Sequence, residues 1–563
     1  MTKQNFQLSK IMTKLLDFLY NRLKSYGVDH VFGIAGESVH VHFHYLEKSP
    51  LKSVLMTHEP CVGYAADAYS RIRGLGAALV SYGVGSLNLV NAVGQAYAEC
   101  SPLVVISGGP GVAERRKYSH LHHKIRTYET HQRVMSEITA LSIIIDNPIT
   151  AGKEIDRALN MAITFKKPVY IEIPRDMGEV EIQEEPFQPT NKPEDHSALE
   201  EALDEIIKML NAAKNPVIIA DAELARIGLQ KELITFAERV NIPVASTLLG
   251  KSIFPEEHPL AMGVYFGQLS NSKVAEFIHN SDFRLMLGVI LSDINLGMFT
   301  AKFSPDDAVC ANIDGLKVKK HFYPQIGLDL FMKGLLSRKD IKSHNIDFPK
   351  IHIPNYPTGG DKEKITVKAL LSITNNFLDN GYRVICDVGD CLFGGQELQI
   401  KGASTFLSPA YYLSMGFAIP GAVGAQIADP TRRPIVMVGD GAFQMTGLEL
   451  ITMAKYKLNP IIILFNNKIY ATLKYCEPPK TMQPHNIPTM DYAKMAEIMG
   501  GKGITVKTVG DFRAGLETAK NTNDTFTLLD VVLDEKDISP ALRTFGESLG
   551  SFVEASAAGK IKV

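Results

Sequence analysis

Residues 434–467 read PIVMVGDGAFQMTGLELITMAKYKLNPIIILFNN. An apolar run from Pro434 to Val438 ends in Gly439-Asp440-Gly441, a helical segment follows, and a second apolar run from Pro460 to Phe465 ends in Asn466-Asn467. Two short β-rich runs joined by a helical segment of this length predict one strand-helix-strand unit. Its crossover returns the chain to a parallel strand, so Asp440 and Asn467 emerge at carboxyl ends of strands, the edge where open α/β sheets take ligands. A carboxylate and a carboxamide are hard oxygen donors suited to Mg2+, which completes its octahedron with water and phosphate oxygens. The glycines beside Asp440 admit close backbone approach, and the following helix N-terminus favours negative charge. Taken singly, Gly-Asp-Gly is a turn and Asn-Asn a loop cap; the spacing that joins them predicts a diphosphate held through a metal ion.

The same alternation extends outward over the chain. Val31-Phe32, Ala78 to Val80, Leu103 to Ile106 and Val169 to Ile173 read as strands of a first set. A helical face at Leu15, Leu16, Leu19 and Leu23 precedes them and stops at Gly27. Val217 to Ile219 and Leu285 to Leu287 mark a second set; Arg383 to Cys386, Pro434 to Val438, Pro460 to Phe465 and Phe526 to Leu533 mark a third. Between the sets, periodicity fails from Glu181 to Asp195, with Pro186, Pro189 and Pro193, and again through Pro349, Pro354, Pro357, Gly359 and Gly360. The expectation is an α/β protein of three doubly wound parallel-sheet domains, at residues 1–185, 196–345 and 361–563. No short-period repeat of the solenoid kind is present.

A chain of 563 residues has room for three or four domains at roughly 150 residues each. Its 59 Lys and Arg against 61 Asp and Glu give a formal charge of −2, which supplies no global drive toward nucleic acid or an anionic membrane. With 45% hydrophobic and 21% charged residues, the composition is that of a folding globular chain. Six scattered cysteines form neither a disulfide scaffold nor a zinc pattern, which fits a reducing cytoplasm. Near the N-terminus, Lys3, Lys10, Lys14 and Asp17 interrupt the apolar residues, so no secretory signal is expected. The uncharged interval between Lys401 and Asp429 is long enough for a membrane span. It carries Pro409, Gly416, Pro420, Gly421 and Gly424, however, and is better explained as backbone packed closely in a protein interior.

The Gly-Asp-Gly and Asn-Asn pair at this interval resembles the signature of thiamine-diphosphate-dependent enzymes. The three-domain layout is similar to their pyruvate and indolepyruvate decarboxylase branch: a pyrimidine-binding, a central and a diphosphate-binding domain. The resemblance implies thiamine diphosphate and Mg2+ as cofactors, with the metal on Asp440, Asn467 and Ile469. Around the cofactor it implies Glu59, Asp390, Leu413, Met415, Gly439, Asp440, Gly441, Ala442 and Asn467. Glu59, in Thr57-His58-Glu59-Pro60, matches the glutamate that hydrogen-bonds the pyrimidine ring; a buried carboxyl there, with a raised pKa, would suit proton transfer to a ring nitrogen. His122-His123 resembles the histidine pair of the 2-oxo acid decarboxylases.

Two departures stand out. Gly33-Ile34-Ala35-Gly36-Glu37 places a glutamate where the family has an aspartate, so Glu37 is the candidate acid beside His122 and His123. Six residues after Asn467, where pyruvate and indolepyruvate decarboxylases carry a glutamate, stands Leu473. Phenylpyruvate decarboxylases share an aliphatic residue at that place, and Gly389-Asp390-Cys391-Leu392-Phe393 and Gly441 to Gly447 also look like that subgroup. The implied reaction is decarboxylation of an aromatic or bulky 2-oxo acid to an aldehyde through an ylide and an enamine, with Leu473 in the substrate pocket. A homodimer at minimum, and a homotetramer in the family's usual form, is implied as well. Three other functions remain open: a carboligase forming acyloins, a thiamine diphosphate binder without catalysis, and a nicotinamide oxidoreductase suggested by Gly83-Val84-Gly85. The last is weakened by Asn88, which stands where the dinucleotide fingerprint wants glycine.

Overall fold

The computed structural model describes residues 12–184, 192–476 and 485–557, with side chains through residue 550. Lys3, Lys10, Pro186 and Pro189 lie outside the described residues. The chain divides between Lys192 and Pro193 into two compact units.

The first unit is built on six parallel strands in the spatial order Lys52–Leu55, His30–Gly33, Gly76–Ser81, Leu103–Gly109, Val169–Pro174, Leu141–Ile144. Its central strands are buried along their whole length because helices cover both faces; Leu103–Gly109 and Val169–Pro174 are buried at every position, the polar Ser107 and Glu172 included. The segment expected to open the first linker is partly ordered, since Glu181–Gln183 pairs antiparallel with Met12–Lys14. Beside this pair the first helix, Leu15–Ser25, buries the predicted leucine face.

The second unit holds two sheets. One has seven strands, in the order Ala261–Val264, Val244–Ser246, Pro216–Ala220, Phe283–Leu287, Val309–Asn312, Gly315–Val318, His321–Tyr323. Its first five strands are parallel, but the last two turn back as an antiparallel edge. A purely parallel central sheet was expected from the sequence; the edge strands contain Lys317 and His321 and lack the apolar run that a doubly covered strand requires. The other sheet has six parallel strands, in the order Phe406–Leu407, Tyr382–Cys386, Arg433–Gly439, Ile461–Asn466, Thr527–Val532, Lys502–Val506. The two sheets belong to one unit because polar contacts stitch them together. Ser252 Oγ accepts the N–H groups of Thr405 and Phe406 at 3.1 and 3.0 Å, and Glu256 accepts that of Ile400 at 2.8 Å.

The crossover after Asp440 is not one continuous helix. It runs as Asp440–Thr446, a 3-10 turn at Gly447–Glu449, and Leu450–Lys455. The uncharged stretch that could have suggested a membrane span becomes the buried 11-residue helix Ala418–Ala428 and its lead-in. Among the described residues no helix is long and apolar enough to cross a membrane, and no cysteine forms a disulfide.

In the first unit, the helix Glu59–Arg73 is fixed by a buried charge cluster. Arg71 meets Asp67 at 2.7 Å and Glu99 at 2.8 Å, and all three side chains are at most 1% exposed. Gln95 donates a further hydrogen bond to Asp67 at 2.8 Å. Removing one partner of such a cluster strands charge in a low-dielectric interior, so Asp67→Ala is expected to cost about 3–5 kcal/mol in denaturant unfolding. A loss below about 1 kcal/mol, the range of an exposed ion pair, would contradict this role for the cluster.

Candidate active site

Both six-stranded sheets reverse strand order beside their first strand, and each opens a crevice at the carboxyl ends there. In the second unit this crevice is a cavity of about 210 Å3. Its wall contains Asp390, Leu413, Met415, Gly439, Asp440, Gly441, Ala442, Asn467, Ile469 and Leu473, all ten of the positions expected there from the sequence, together with Val388, Cys391, Tyr470 and Thr472.

Asp440 sits where the strand Arg433–Gly439 ends. Its Oδ1 accepts the Gly441 N–H at 2.9 Å and its Oδ2 the Lys468 N–H at 2.6 Å. Burial pushes its carboxyl up to about 6, against those two donors. The two asparagines that end the next strand diverge. Asn466 turns into the protein and donates to Asp530 at 2.8 Å, whereas Asn467 lines the cavity, its Oδ1 accepting the Ile469 N–H at 3.2 Å. Between them and Ile469, Lys468 takes a left-handed φ of 65°, which presents its N–H to Asp440. Gly441 has no room for a side chain: a Cβ would lie 2.5 Å from Tyr470 Cε1 and 2.9 Å from Ile487 Cδ1.

The opposite wall rests on a residue the sequence reading passed over. Asp387 follows the strand Tyr382–Cys386, is wholly buried, and accepts N–H groups from Val388, Gly416 and Ala418 at 2.9, 3.0 and 2.8 Å. Thr446 donates to the Gly416 carbonyl at 2.9 Å from the other side. The segment carrying Leu413 and Met415 is thus pinned at both edges, and Leu413 itself holds a left-handed φ of 58°. A carboxylate immediately after an apolar strand was the signal available for Asp387. Asp390 begins the next helix and accepts the Ser539 N–H at 3.1 Å; burial pushes its carboxyl up to about 6. Leu473, on the helix Ala471–Cys476, is 48% exposed at the cavity rim.

The four remaining positions gather in the first unit, around the turn that follows the strand Gly76–Ser81. Gly36 lies against Ser81, so close that a Cβ on it would stand 2.4 Å from Ser81 Oγ; this sets Glu37 beside the turn. Glu37 Oε1 accepts from Arg175 at 2.6 Å and its Oε2 meets His122 Nε2 at 2.8 Å. Arg175, with a smaller contribution from His122, holds the Glu37 carboxyl below the usual range, so it stays ionised and accepts hydrogen bonds. His123 packs edge-on to His122, with ring centroids 4.7 Å apart, and desolvation lowers its pKa.

Glu59 heads the helix Glu59–Arg73, and its Oε2 accepts from Asn88 at 2.8 Å. Asn88 also reaches His58 at 3.0 Å. The asparagine that spoiled a dinucleotide fingerprint is therefore the partner that orients Glu59. A buried carboxyl was expected here, but Glu59 is only partly covered in the single chain, because a helix N-terminus at the open edge of a sheet has protein on one side alone. Among the described residues no cluster of three His, Cys, Asp or Glu side chains could hold a metal, which leaves amide and main-chain oxygens to complete any metal site.

Three family models match the chain in order. The thiamine pyrophosphate enzyme N-terminal TPP binding domain matches residues 13–134, the central domain 203–337 and the C-terminal TPP binding domain 387–531. An indole-3-pyruvate decarboxylase of Azospirillum brasilense is 34% identical over 539 residues, 94% of this chain and 97% of its own. A pyruvate decarboxylase of Neurospora crassa is 30% identical, over 94% of this chain and 95% of its own. Pyruvate decarboxylase isozyme 1 of Saccharomyces cerevisiae is 27% identical, over 92% and 94%. With the cavity built on Gly-Asp-Gly and Asn-Asn, three domain models in sequence and relatives aligned almost end to end, this chain belongs to the thiamine-pyrophosphate-dependent 2-oxo acid decarboxylases, a family of carbon–carbon lyases.

Proposed function

We propose that the chain decarboxylates a 2-oxo acid with an aromatic or otherwise bulky side chain, using thiamine diphosphate held through Mg2+, and that a homodimer is its smallest active unit. The observation that carries the substrate class is Leu473, half-exposed at the rim of a cavity whose wall also contains Leu413, Met415, Ile469 and Tyr470. The wall is apolar where related decarboxylases have a glutamate. Burying a large side chain against it is worth roughly 1.5–3 kcal/mol. The indole-3-pyruvate decarboxylase among the relatives supports the same direction.

The donor set supports the metal and the diphosphate. The Asp440 carboxylate, the Asn467 carboxamide and the Ile469 carbonyl are all hard oxygen ligands, few enough to leave coordination positions for phosphate oxygens and water. Gly441 keeps its side of the cavity free of a side chain. When bound, thiamine diphosphate supplies an electron sink for the carbon that loses CO2. The chain's own part is to hold the metal at Asp440, Asn467 and Ile469, to present Glu59 to the pyrimidine ring, and to exclude water with the apolar wall. An apolar wall disfavours a substrate carboxylate more than the dispersed charge of its departure. With Glu37 ionised and Leu473 lacking a carboxyl, protonation at the end of the reaction falls to His122, His123 or water they hold. Slow protonation there also favours a second outcome, capture of an aldehyde to give an acyloin.

Glu59 stands on the first unit and Asp440 on the second, each at an open edge. Apolar side chains lie exposed beside both: Val84 near the Glu59 cluster, and Met445, Leu448 and Ile451 after Asp440. These features support a shared site in which one chain offers Glu59 and its partner Asp440.

Steady-state kinetics on pyruvate, a long aliphatic 2-oxo acid and phenylpyruvate, with products analysed with and without added aldehyde, test the substrate class. The expectation is a kcat/KM for phenylpyruvate above that for pyruvate. Leu473→Glu should erode this preference by roughly ten- to a hundredfold, because the ring must then desolvate a carboxylate. A wild-type preference for pyruvate defeats the proposal. For assembly, Asp440→Ala should fail to retain thiamine diphosphate in calorimetry yet restore activity when mixed with inactive Glu59→Gln under subunit exchange; silence despite proven exchange argues against cross-chain sites.

A further inference from the structure

Beneath the histidine pair lies a buried polar network with no part in the chemistry described so far. Glu172, wholly buried on the strand Val169–Pro174, accepts from Arg115, shares a hydrogen bond with His131 Nε2, and accepts from the Tyr170 hydroxyl at 3.1 Å. His131 is 3% exposed. Tyr82 stands between this network and the pair. Its ring meets His131 edge-on at 5.5 Å on one side and His123 edge-on at 5.7 Å on the other, and its hydroxyl donates to the His122 carbonyl. The next residue, Gly83, has φ +66° and lies directly under His123, whose own φ is +67°; a Cβ on Gly83 would be 2.6 Å from the His123 carbonyl oxygen. A left-handed histidine is a sparsely populated conformation that persists only where its surroundings enforce it.

We propose that Tyr82 is a positioning residue for His122 and His123, fixing the pair's backbone and ring orientation against the buried Glu172–His131 network. The proposal rests on the reading that this pair serves the decarboxylation. The loop that carries the histidines is tied within itself by the Lys124 N–H to the Leu121 carbonyl at 3.2 Å and by the Tyr128 hydroxyl to the Tyr118 carbonyl at 2.8 Å, bonds that hold its backbone but not the two rings. His122 is 56% exposed, and from the solvent side Glu37, itself held by Arg175 and through it by Glu114, engages it. From the interior, Tyr82 touches both histidines, and Tyr128, Glu172, Arg115, Glu37 and His131 are the titratable groups set around it. Its phenol is pushed up to about 12, chiefly by burial, so it remains a donor throughout the working range. Tyr82 thereby transmits a rigid interior to an exposed pair, in the way that supporting hydrogen bonds preorganise reactive groups.

Tyr82→Phe keeps the ring and removes the hydroxyl. Two readouts are taken on the full-length chain: kinetics of the loaded enzyme, and the titration of the His122 and His123 rings by NMR on the cofactor-free chain, assigned with His122→Gln and His123→Gln. The expected result is a kcat lowered about 10- to 100-fold with KM changed less than about twofold, and a displaced titration midpoint for at least one of the two rings. Wild-type kcat together with unchanged midpoints overturns the proposal. Should Tyr82→Phe fail to fold, the same readouts are taken on His131→Gln, which removes the ring under Tyr82, and unchanged values there overturn it equally. A wild-type chain that releases CO2 from no 2-oxo acid sinks the functional reading instead, and the NMR titration then decides the positioning claim by itself.

Discussion

The hydrogen bond from the Lys468 N–H to Asp440 ties together the ends of two neighbouring parallel strands, and the floor of the cavity depends on it. It forces Lys468 into a left-handed conformation, and that kink separates the two asparagines before it from Ile469 after it. One asparagine is thereby turned inward to Asp530 and the other left on the cavity wall. A buried carboxylate that accepts main-chain N–H groups from the segments following both strands has almost no freedom of its own, so the oxygen donors beside it are preorganised before any ligand arrives.

The opposite wall follows the same logic with a different carboxylate. Asp387 gathers three N–H groups from a segment that would otherwise be an irregular loop with buried, unpaired donors. The result is a loop as fixed as a strand, which is what Met415 and Leu413 need if they are to define a shape. Numbered in chain order, the strands of both six-stranded sheets run 2-1-3-4-6-5. Asp387 with Asp440 in one, and Glu37 with the Tyr82 turn in the other, occupy equivalent edges of equivalent sheets. The two halves differ in burial: the acids of the second unit are enclosed, whereas Glu37 and Glu59 face outward.

Glu37 joins two partners of the first unit. Its one carboxylate reaches both Arg175 and His122, and the arginine favours its ionised form. Glu37 thereby braces the histidine loop through His122.

The parallel sheets, the Gly-Asp-Gly and Asn-Asn edge, the histidine pair and the departure at Leu473 were legible in the sequence, because each rests on local signals: apolar runs, glycine at close approaches, and fixed spacing. The ten positions expected around the cavity converge for the same reason, since strand ends in a right-handed crossover fold have little choice of where to point. Which asparagine faces the cavity, the pinning of Met415 by Asp387, the partnership of Asn88 with Glu59, and the Tyr82–His131–Glu172 stack were decided only by tertiary structure. Each joins residues dozens of positions apart or depends on a backbone torsion that no residue type dictates. The antiparallel edge of the central sheet belongs with them, because strands of three or four residues interrupted by Lys317 and His321 carry too weak an apolar pattern to be told from a loop.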